Sequence, residues 1–199
     1  GKDIREAHLL FARSAGLPRT VPPRAFFDQA LFNTWIEFMI NVNQAGVIDY
    51  AKKIRTNEFP CEVLMIDGGW EIYNGDFSFN PAKFADPKAM TDELHKMGFK
   101  VILWTSPYIE RKSKYFDFLD KKRFLIMDAS GNKPGVIKWW GGEDHQVDLS
   151  NPYAFEWFLG KIRKLQEDYG IDGFKQDGGD AKYVPVEYKT FAGASPNLS

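Results

Sequence analysis

The sequence predicts an α/β fold of the (β/α)8 TIM-barrel type, with about the first four βα units present. Short apolar runs alternate with amphipathic stretches four times, which is the pattern of parallel strands joined by right-handed crossovers. The runs are apolar on both faces, as strands covered from both sides are. Polar residues stand where these runs end, at Asp67, Thr105 and Asp177, and barrels carry their sites at the carboxyl ends of strands. A doubly wound sheet shares the alternation, but no glycine-rich phosphate loop follows the first run, which weakens that reading.

The elements follow in order. Asp3 and Glu6 have capping-box spacing ahead of a helix with Ile4, Ala7, Leu10 and Phe11 on one face. Gly16 and Pro18 stop it, and Pro22-Pro23 mark an extended linker. Ala30 to Trp35 reads as a strand, and Gln44 to Glu58 as a helix. Val63 to Ile66 reads as a strand ending in Asp67-Gly68-Gly69. Asp86-Pro87 opens a helix to Met97, with proline at its first position and Gly98 behind it. Phe99 to Trp104 is the third strand, and a short helix follows around Lys114 to Leu119. Ser130-Gly131-Asn132 reads as a turn between strand-like pieces Phe124 to Met127 and Val136 to Trp140. Asn151-Pro152 opens a long helix to Tyr169, apolar at Phe155, Phe158, Leu159, Ile162 and Leu165. Gly170 closes it, and the fourth strand begins at Ile171.

Three segments result: a helix and linker over 1–29, the first half of a barrel over 30–181, and the start of a loop or insertion over 182–199. Full barrels run to about 250 residues. The 199-residue chain is therefore expected to need completion by further residues or another copy of itself.

Net charge is −1, which argues against nucleic acid or an anionic membrane as the main partner. No apolar run reaches the ~20 residues of a membrane span. One cysteine, Cys61, leaves no internal disulfide framework. His8, His95 and His145 are scattered, so no metal is expected, and nothing calls for a cofactor. Aromatic content is 16%, and Trp35, Trp70, Trp104, Trp139 and Trp140 fall near strand ends or in loops. They read either as core packing or as platforms for flat ligands such as sugar rings.

The most informative stretch is Gly170-Ile171-Asp172-Gly173-Phe174-Lys175-Gln176-Asp177-Gly178-Gly179-Asp180. Side chains alternate along a strand, so Lys175 and Asp177 share a face. An ammonium beside a carboxylate keeps the acid ionised, and an ionised carboxylate on a rigid strand end can act as a nucleophile. Asp67 reads as a second strand-end acid or as a cap for its turn. Asp148 reads as ordering the entry to the long helix, and Asp180 as a rim residue.

In order along the chain stand Met65-Ile66-Asp67-Gly68-Gly69-Trp70, Asn80-Pro81-Ala82-Lys83-Phe84, Trp104-Thr105-Ser106-Pro107-Tyr108-Ile109, Trp139-Trp140-Gly141-Gly142, Val147-Asp148-Leu149-Ser150-Asn151-Pro152 and the strand ending at Asp177. This series, from about Phe32 to Asp180, resembles glycoside hydrolase family 31, the retaining α-glycosidases. The resemblance implies that Asp177 is the nucleophile and that Asp67 binds hydroxyls of the sugar being cleaved. It implies that Trp140 walls that subsite and that the acid/base residue lies outside this chain. Lys175 stands where many α-glucosidases of the family carry an aromatic residue, and it looks more like the branch that includes α-galactosidases. The resemblance makes an oligosaccharide or α-glycoside the expected substrate and this chain alone inactive. Substrate contacts are expected from Asp67, Lys175, Trp140, Trp35, Trp104 and Trp70. Two other functions remain open: a non-catalytic carbohydrate-binding or structural unit, and an aldolase-type barrel with a Schiff base on Lys175.

Overall fold

The computed structural model describes residues 2–16, 20–21, 24 and 28–193. Four parallel strands form its main sheet. They are β1 (Ala30–Asn33), β2 (Cys61–Ile66), β3 (Lys100–Thr105) and a fourth strand, Gly173–Gln176, numbered β7 by its place in the chain. Neighbours in the sheet are β1-β2-β3-β7, so strand order follows chain order, as in a barrel wall.

Helix α1 (Ile4–Ala15) is capped by Asp3, which accepts from the Glu6 amide. Its predicted apolar face lies open, with Ile4 90% and Phe11 70% exposed. Pro18 and Pro22-Pro23 of the predicted linker lie outside the described residues. After β1 come a short helix α2 (Trp35–Phe38) and then α3 (Gln44–Thr56), which Asn43 caps through the Gly46 amide. Helix α4 (Pro87–Lys96) is capped by Asp86 through the Ala89 amide, with proline in its first turn. Both ends agree with the sequence reading to within two residues.

Beyond β3 a second sheet of three antiparallel strands stands over the rim. It is made of β4 (Tyr108–Ile109), β5 (Ile137–Trp139) and β6 (Gly142–Gln146). The sequence suggested only β5, as Val136 to Trp140. The predicted strand Phe124 to Met127 makes isolated bridges instead, and the short helix sits slightly later, as α5 (Phe116–Lys122). Helix α6 (Pro152–Tyr169) runs as predicted from its Asn151 cap to Gly170. Residues 184–193 pack back on this region: Val184 is buried with Ile137 and Trp139 of β5, and Lys189 exchanges backbone hydrogen bonds with Met127 beside the sheet.

Alternation divides the main sheet in two. Phe32, Leu64, Val101, Leu103 and Phe174 face the helices and join the large apolar cluster with Ala51, Met90, Leu94, Phe158 and Ile162. Strand register then pairs Asn33 with Met65, Met65 with Ile102, and Trp104 with Lys175 on the opposite face. That inner face is apolar in the middle of the sheet and polar at its carboxyl end.

Candidate active site

Asn33, Asp67, Trp104, Lys175 and Asp177 meet at the carboxyl end of the sheet, and all point from its inner face because the side-chain period of a strand is two. Asp177 directly follows β7, and its amide continues the ladder to the Thr105 carbonyl at 2.9 Å. Its chain then turns through Gly178 and Gly179, at φ +72° and +75°. A Cβ on Gly178 would lie 2.4 Å from the Tyr108 ring, so a side chain there would displace the turn that holds the carboxylate.

The hydrogen bonds form a chain across the rim. Trp104 Nε1 donates to Asp177 Oδ2 at 2.9 Å. The Gly178 amide donates to Asp177 Oδ1 at 2.9 Å. Lys175 Nζ lies 3.3 Å from Asp177 Oδ2 and 3.1 Å from Asp67 Oδ2. Asp67 also accepts from Asn33 Nδ2 at 2.8 Å and from the Gly68 amide at 2.8 Å. The Asp67 amide in turn donates to Thr34 Oγ1 at 2.9 Å.

These contacts decide the charge states. Burial works to raise the Asp177 carboxyl, but the Trp104 indole, the Lys175 ammonium and the Gly178 amide outweigh it and hold it below the usual carboxylate range. Burial likewise works to lower Lys175, and its bonds and charge interactions with Asp67 and Asp177 hold it above the usual lysine range. The site is a fixed anion, a fixed cation and a second acid in one row.

Above the row lies a cavity of about 200 Å³ lined by Trp35, Asp67, Trp140, Lys175 and Asp177. Asp67 is 3% exposed, while the Lys175 and Asp177 side chains are 34% and 29% exposed toward it. Trp35 meets Trp140 edge to face at 5.8 Å. Trp140 reaches out because it sits on the tight turn between β5 and β6, and the residue is 58% exposed. Two aromatic walls beside a row of hydrogen-bonding side chains suit a sugar ring, which has apolar faces and a polar edge.

Of the predicted substrate contacts, Asp67, Lys175, Trp35 and Trp140 line the cavity with Asp177. Trp104 is 3% exposed and reaches the site through its hydrogen bond to Asp177. Trp70 is not brought there. It is fully buried against Phe79 and donates from Nε1 to the Trp104 carbonyl at 2.9 Å, bracing the end of β3 from behind. Trp139 is buried too, with Nε1 bonded to Asp144. Asp148 accepts from Ser150 and the Phe191 amide, ordering the loop before α6.

Sequence reading missed Asn33 and Thr34. The expected strand runs on to Trp35, whereas in the structure Asn33 Oδ1 accepts from the Trp35 amide at 2.7 Å and ends the strand. Asparagine favours such turns, and that preference was the available signal. Among the described residues no group of three or more His, Cys, Asp or Glu is placed to hold a metal. None of their helices is long and apolar enough to cross a membrane.

Residues 20–196 match the family described as the glycosyl hydrolases family 31 TIM-barrel domain. Mouse (Mus musculus) myogenesis-regulating glycosidase is 30% identical over 192 residues, covering 96% of this chain and 27% of that protein. Alpha-xylosidase XylQ of Lactiplantibacillus pentosus is 28% identical over 172 residues, covering 83% of this chain and 22% of that protein. The chain thus spans about a quarter of the length of these relatives. The GH31 dextranase FjDex31A of Flavobacterium johnsoniae, complexed with glucose, superposes with a TM-score of 0.79 at 23% identity, over 90% of this chain and 22% of the dextranase chain. That likeness shows the barrel fold.

Proposed function

Because this chain belongs to glycosyl hydrolase family 31, we propose that it supplies the nucleophile half of an active site that cleaves α-glycosidic bonds with retention. The observation that carries the reading is Asp177: an anionic carboxylate held by three donors, facing a tryptophan-walled cavity. Glycoside cleavage develops positive charge at the anomeric carbon, so a fixed anion beneath that carbon lowers the barrier. Oδ1 carries only the Gly178 amide among these donors and is the freer oxygen for attack.

In the first step Asp177 bonds to C1 as the C1–O bond to the leaving group breaks, and a second carboxyl protonates the departing oxygen. In the second step that carboxyl takes a proton from water as water attacks C1, and Asp177 leaves as carboxylate. The second carboxyl should stand about 5–5.5 Å from the nucleophile. Asp67 is the other carboxyl lining the cavity, and its oxygens are committed to Asn33, Lys175 and Gly68. We assign it to substrate hydroxyls together with Lys175, and the acid/base to residues outside this chain. Names of relatives such as XylQ support an α-linked substrate.

The aldolase reading needs an uncharged Lys175 amine. The two neighbouring carboxyls instead favour the charged form of that lysine, which speaks against the free lone pair a Schiff base requires. A 5-fluoro or cyclophellitol-type α-glycoside, applied to the complete protein, is expected to label Asp177. Attachment to another residue, with Asp177→Ala still turning over, rules the assignment out. Saturable sugar binding with no turnover and no label favours the non-catalytic reading.

A further inference from the structure

We infer that Asn33 is a positioning residue of this site: it aims Asp67 Oδ2 and, through the lysine that the two aspartates share, sets how much positive charge reaches Asp177. The inference rests on the reading of Asp177 as nucleophile.

Three observations lead to it. First, the rim network takes one or more members from every parallel strand: Asn33 ends β1, Asp67 follows β2, Trp104 lies on β3, and Lys175 and Asp177 lie on and after β7. Asn33 is the terminal donor on the β1 side, and Trp104 is the terminal donor on the β3 side. Second, the Asn33 amide has only one orientation that serves its contacts to the Trp35 amide and Asp67, and in it Nδ2 also lies 3.2 Å from Met65 Sδ. Its Oδ1 must accept from the Trp35 amide at 2.7 Å, so its Nδ2 must face Asp67 Oδ2 at 2.8 Å. One side chain therefore fixes a cavity acid and starts the turn that carries a cavity wall. Third, Asp67 Oδ2 is the atom that Asn33 and Lys175 share. Lys175 lies at 3.1 Å from Asp67 and 3.3 Å from Asp177, a near-even division. With the Asn33 donor gone, Asp67 Oδ2 keeps Lys175 as its side-chain partner and draws the ammonium away from Asp177. Among the described residues the charged groups lining this cavity are Asp67, Lys175 and Asp177, so none of them supplies a second cation to compensate the redistribution.

The test compares Asn33→Ala with Asn33→Asp in the complete protein, on an aryl α-glycoside that the wild type hydrolyses. Covalent labelling counts active sites first, so folding losses are separated from kinetics. Asn33→Ala is expected to raise KM about tenfold, the scale of a lost hydrogen bond to a charged group, and to move the acid limb of kcat/KM to higher pH. Asn33→Asp keeps an acceptor for the Trp35 amide but places a carboxylate against Asp67, so its acid limb should move further still. If Asn33 serves only to build the Trp35 turn, the order reverses, with Asn33→Asp near wild type and Asn33→Ala impaired. That reversal overturns the inference, as does a loss of active-site count in both variants with KM and pH profile unchanged. A wild type that is neither labelled at Asp177 nor active refutes the nucleophile reading and this inference together. Wild-type labelling with unaltered Asn33→Asp kinetics refutes this inference alone.

Discussion

Strand β7 is bracketed by two aspartates that look alike in chemistry and differ in surroundings. Asp172 precedes it and Asp177 follows it, about 17 Å apart along an extended chain. Asp172 accepts from the Val101 amide at 2.8 Å, from His95 Nε2 at 2.8 Å and from Lys100 at 3.1 Å. Burial works against its charge as it does at Asp177, and these donors likewise hold it below the usual carboxylate range. A depressed carboxyl beside a cation is therefore not what marks the site. Space is not the mark either, since the hollow beside Asp172 measures about 250 Å³ against about 200 Å³ above Asp177. The lining separates them. The rings of the Asp172 hollow are both engaged: Phe99 is covered by the Arg55 guanidinium at 3.6 Å, and the His95 imidazole is bonded to Asp172 itself. The Asp177 cavity has Trp35 and Trp140 as walls and a second acid within reach of the shared lysine. The amino end of the strand is a clamp between α4 and the sheet, and the carboxyl end is where we propose that a ligand sits.

The sharpest way to break this contrast is to neutralise each aspartate in turn. Asp177→Asn in the complete protein is expected to lower kcat/KM by at least about 10³-fold, because it removes both the attacking group and the charge under the anomeric carbon. Its melting temperature should stay within a few degrees. Asp172→Asn should leave kcat/KM per active site within about twofold. A large catalytic loss at Asp172, or an active Asp177→Asn enzyme, would erase the distinction.

Lys175→Met comes next in size. It removes the cation that both aspartates share, so the Asp177 carboxyl should rise and the acid limb of kcat/KM should move up in pH. A loss of about 10–100-fold in kcat/KM is expected from breaking hydrogen bonds to charged groups. An unchanged acid limb would mean that Trp104 and Gly178 suffice to hold the anion.

How much of this was legible in sequence follows from the two kinds of signal at the two ends. The four-beat alternation, the caps Asp3, Asp86 and Asn151, and the shared face of Lys175 and Asp177 follow from local periodicity and capping preference, and the structure agrees with each. The second sheet was not legible: β6 reads Gly-Glu-Asp-His-Gln, with no apolar alternation to announce a strand, and it is held by pairing with β4 and β5. Trp70 and Trp140 look equivalent in composition, yet one is sealed under Phe79 and the other is 58% exposed on a turn. Tertiary packing separates those two indoles, and packing has no local signature. Asn33 lay between: its turn preference was visible, but its bond to Asp67 joins residues 34 positions apart.

At Asp172 the expected effect is on stability. Its folded-state value lies below the ordinary 3.8, so the stabilisation is complete above that value and is lost as pH falls through the lower one. Asp172→Asn should therefore melt several degrees below wild type at pH 7, a loss of about 1.5–3 kcal/mol. The gap should close as pH drops below about 4. A gap that does not shrink at all as pH falls below 3.8 would assign the clamp to shape and not to charge.

A third carboxyl sharpens the rule because Lys114 is the cation acting on it, and its pull is the smallest of the influences there. Glu71 lines the neighbouring cavity of about 350 Å³ that also has Trp35 and Trp140 in its wall. It accepts from the Phe77 amide at 2.5 Å and from the Gly75 amide at 3.4 Å. Burial raises its carboxyl to about 8 despite those amides. The sign follows from proton counting: between the ordinary value of 4.5 and about 8, the folded state holds a proton that the unfolded chain has lost. Stability from this group is thus full below 4.5 and falls as pH rises toward 8. Glu71→Gln keeps an acceptor for the Phe77 amide and removes the titration. Its melting temperature relative to wild type should rise by a few degrees between pH 5 and pH 8, a difference in which all other titrating groups cancel. Parallel curves would show that the two amides alone hold Glu71 ionised. A paired cation would then no longer be what separates the low carboxyls on this sheet from the high one.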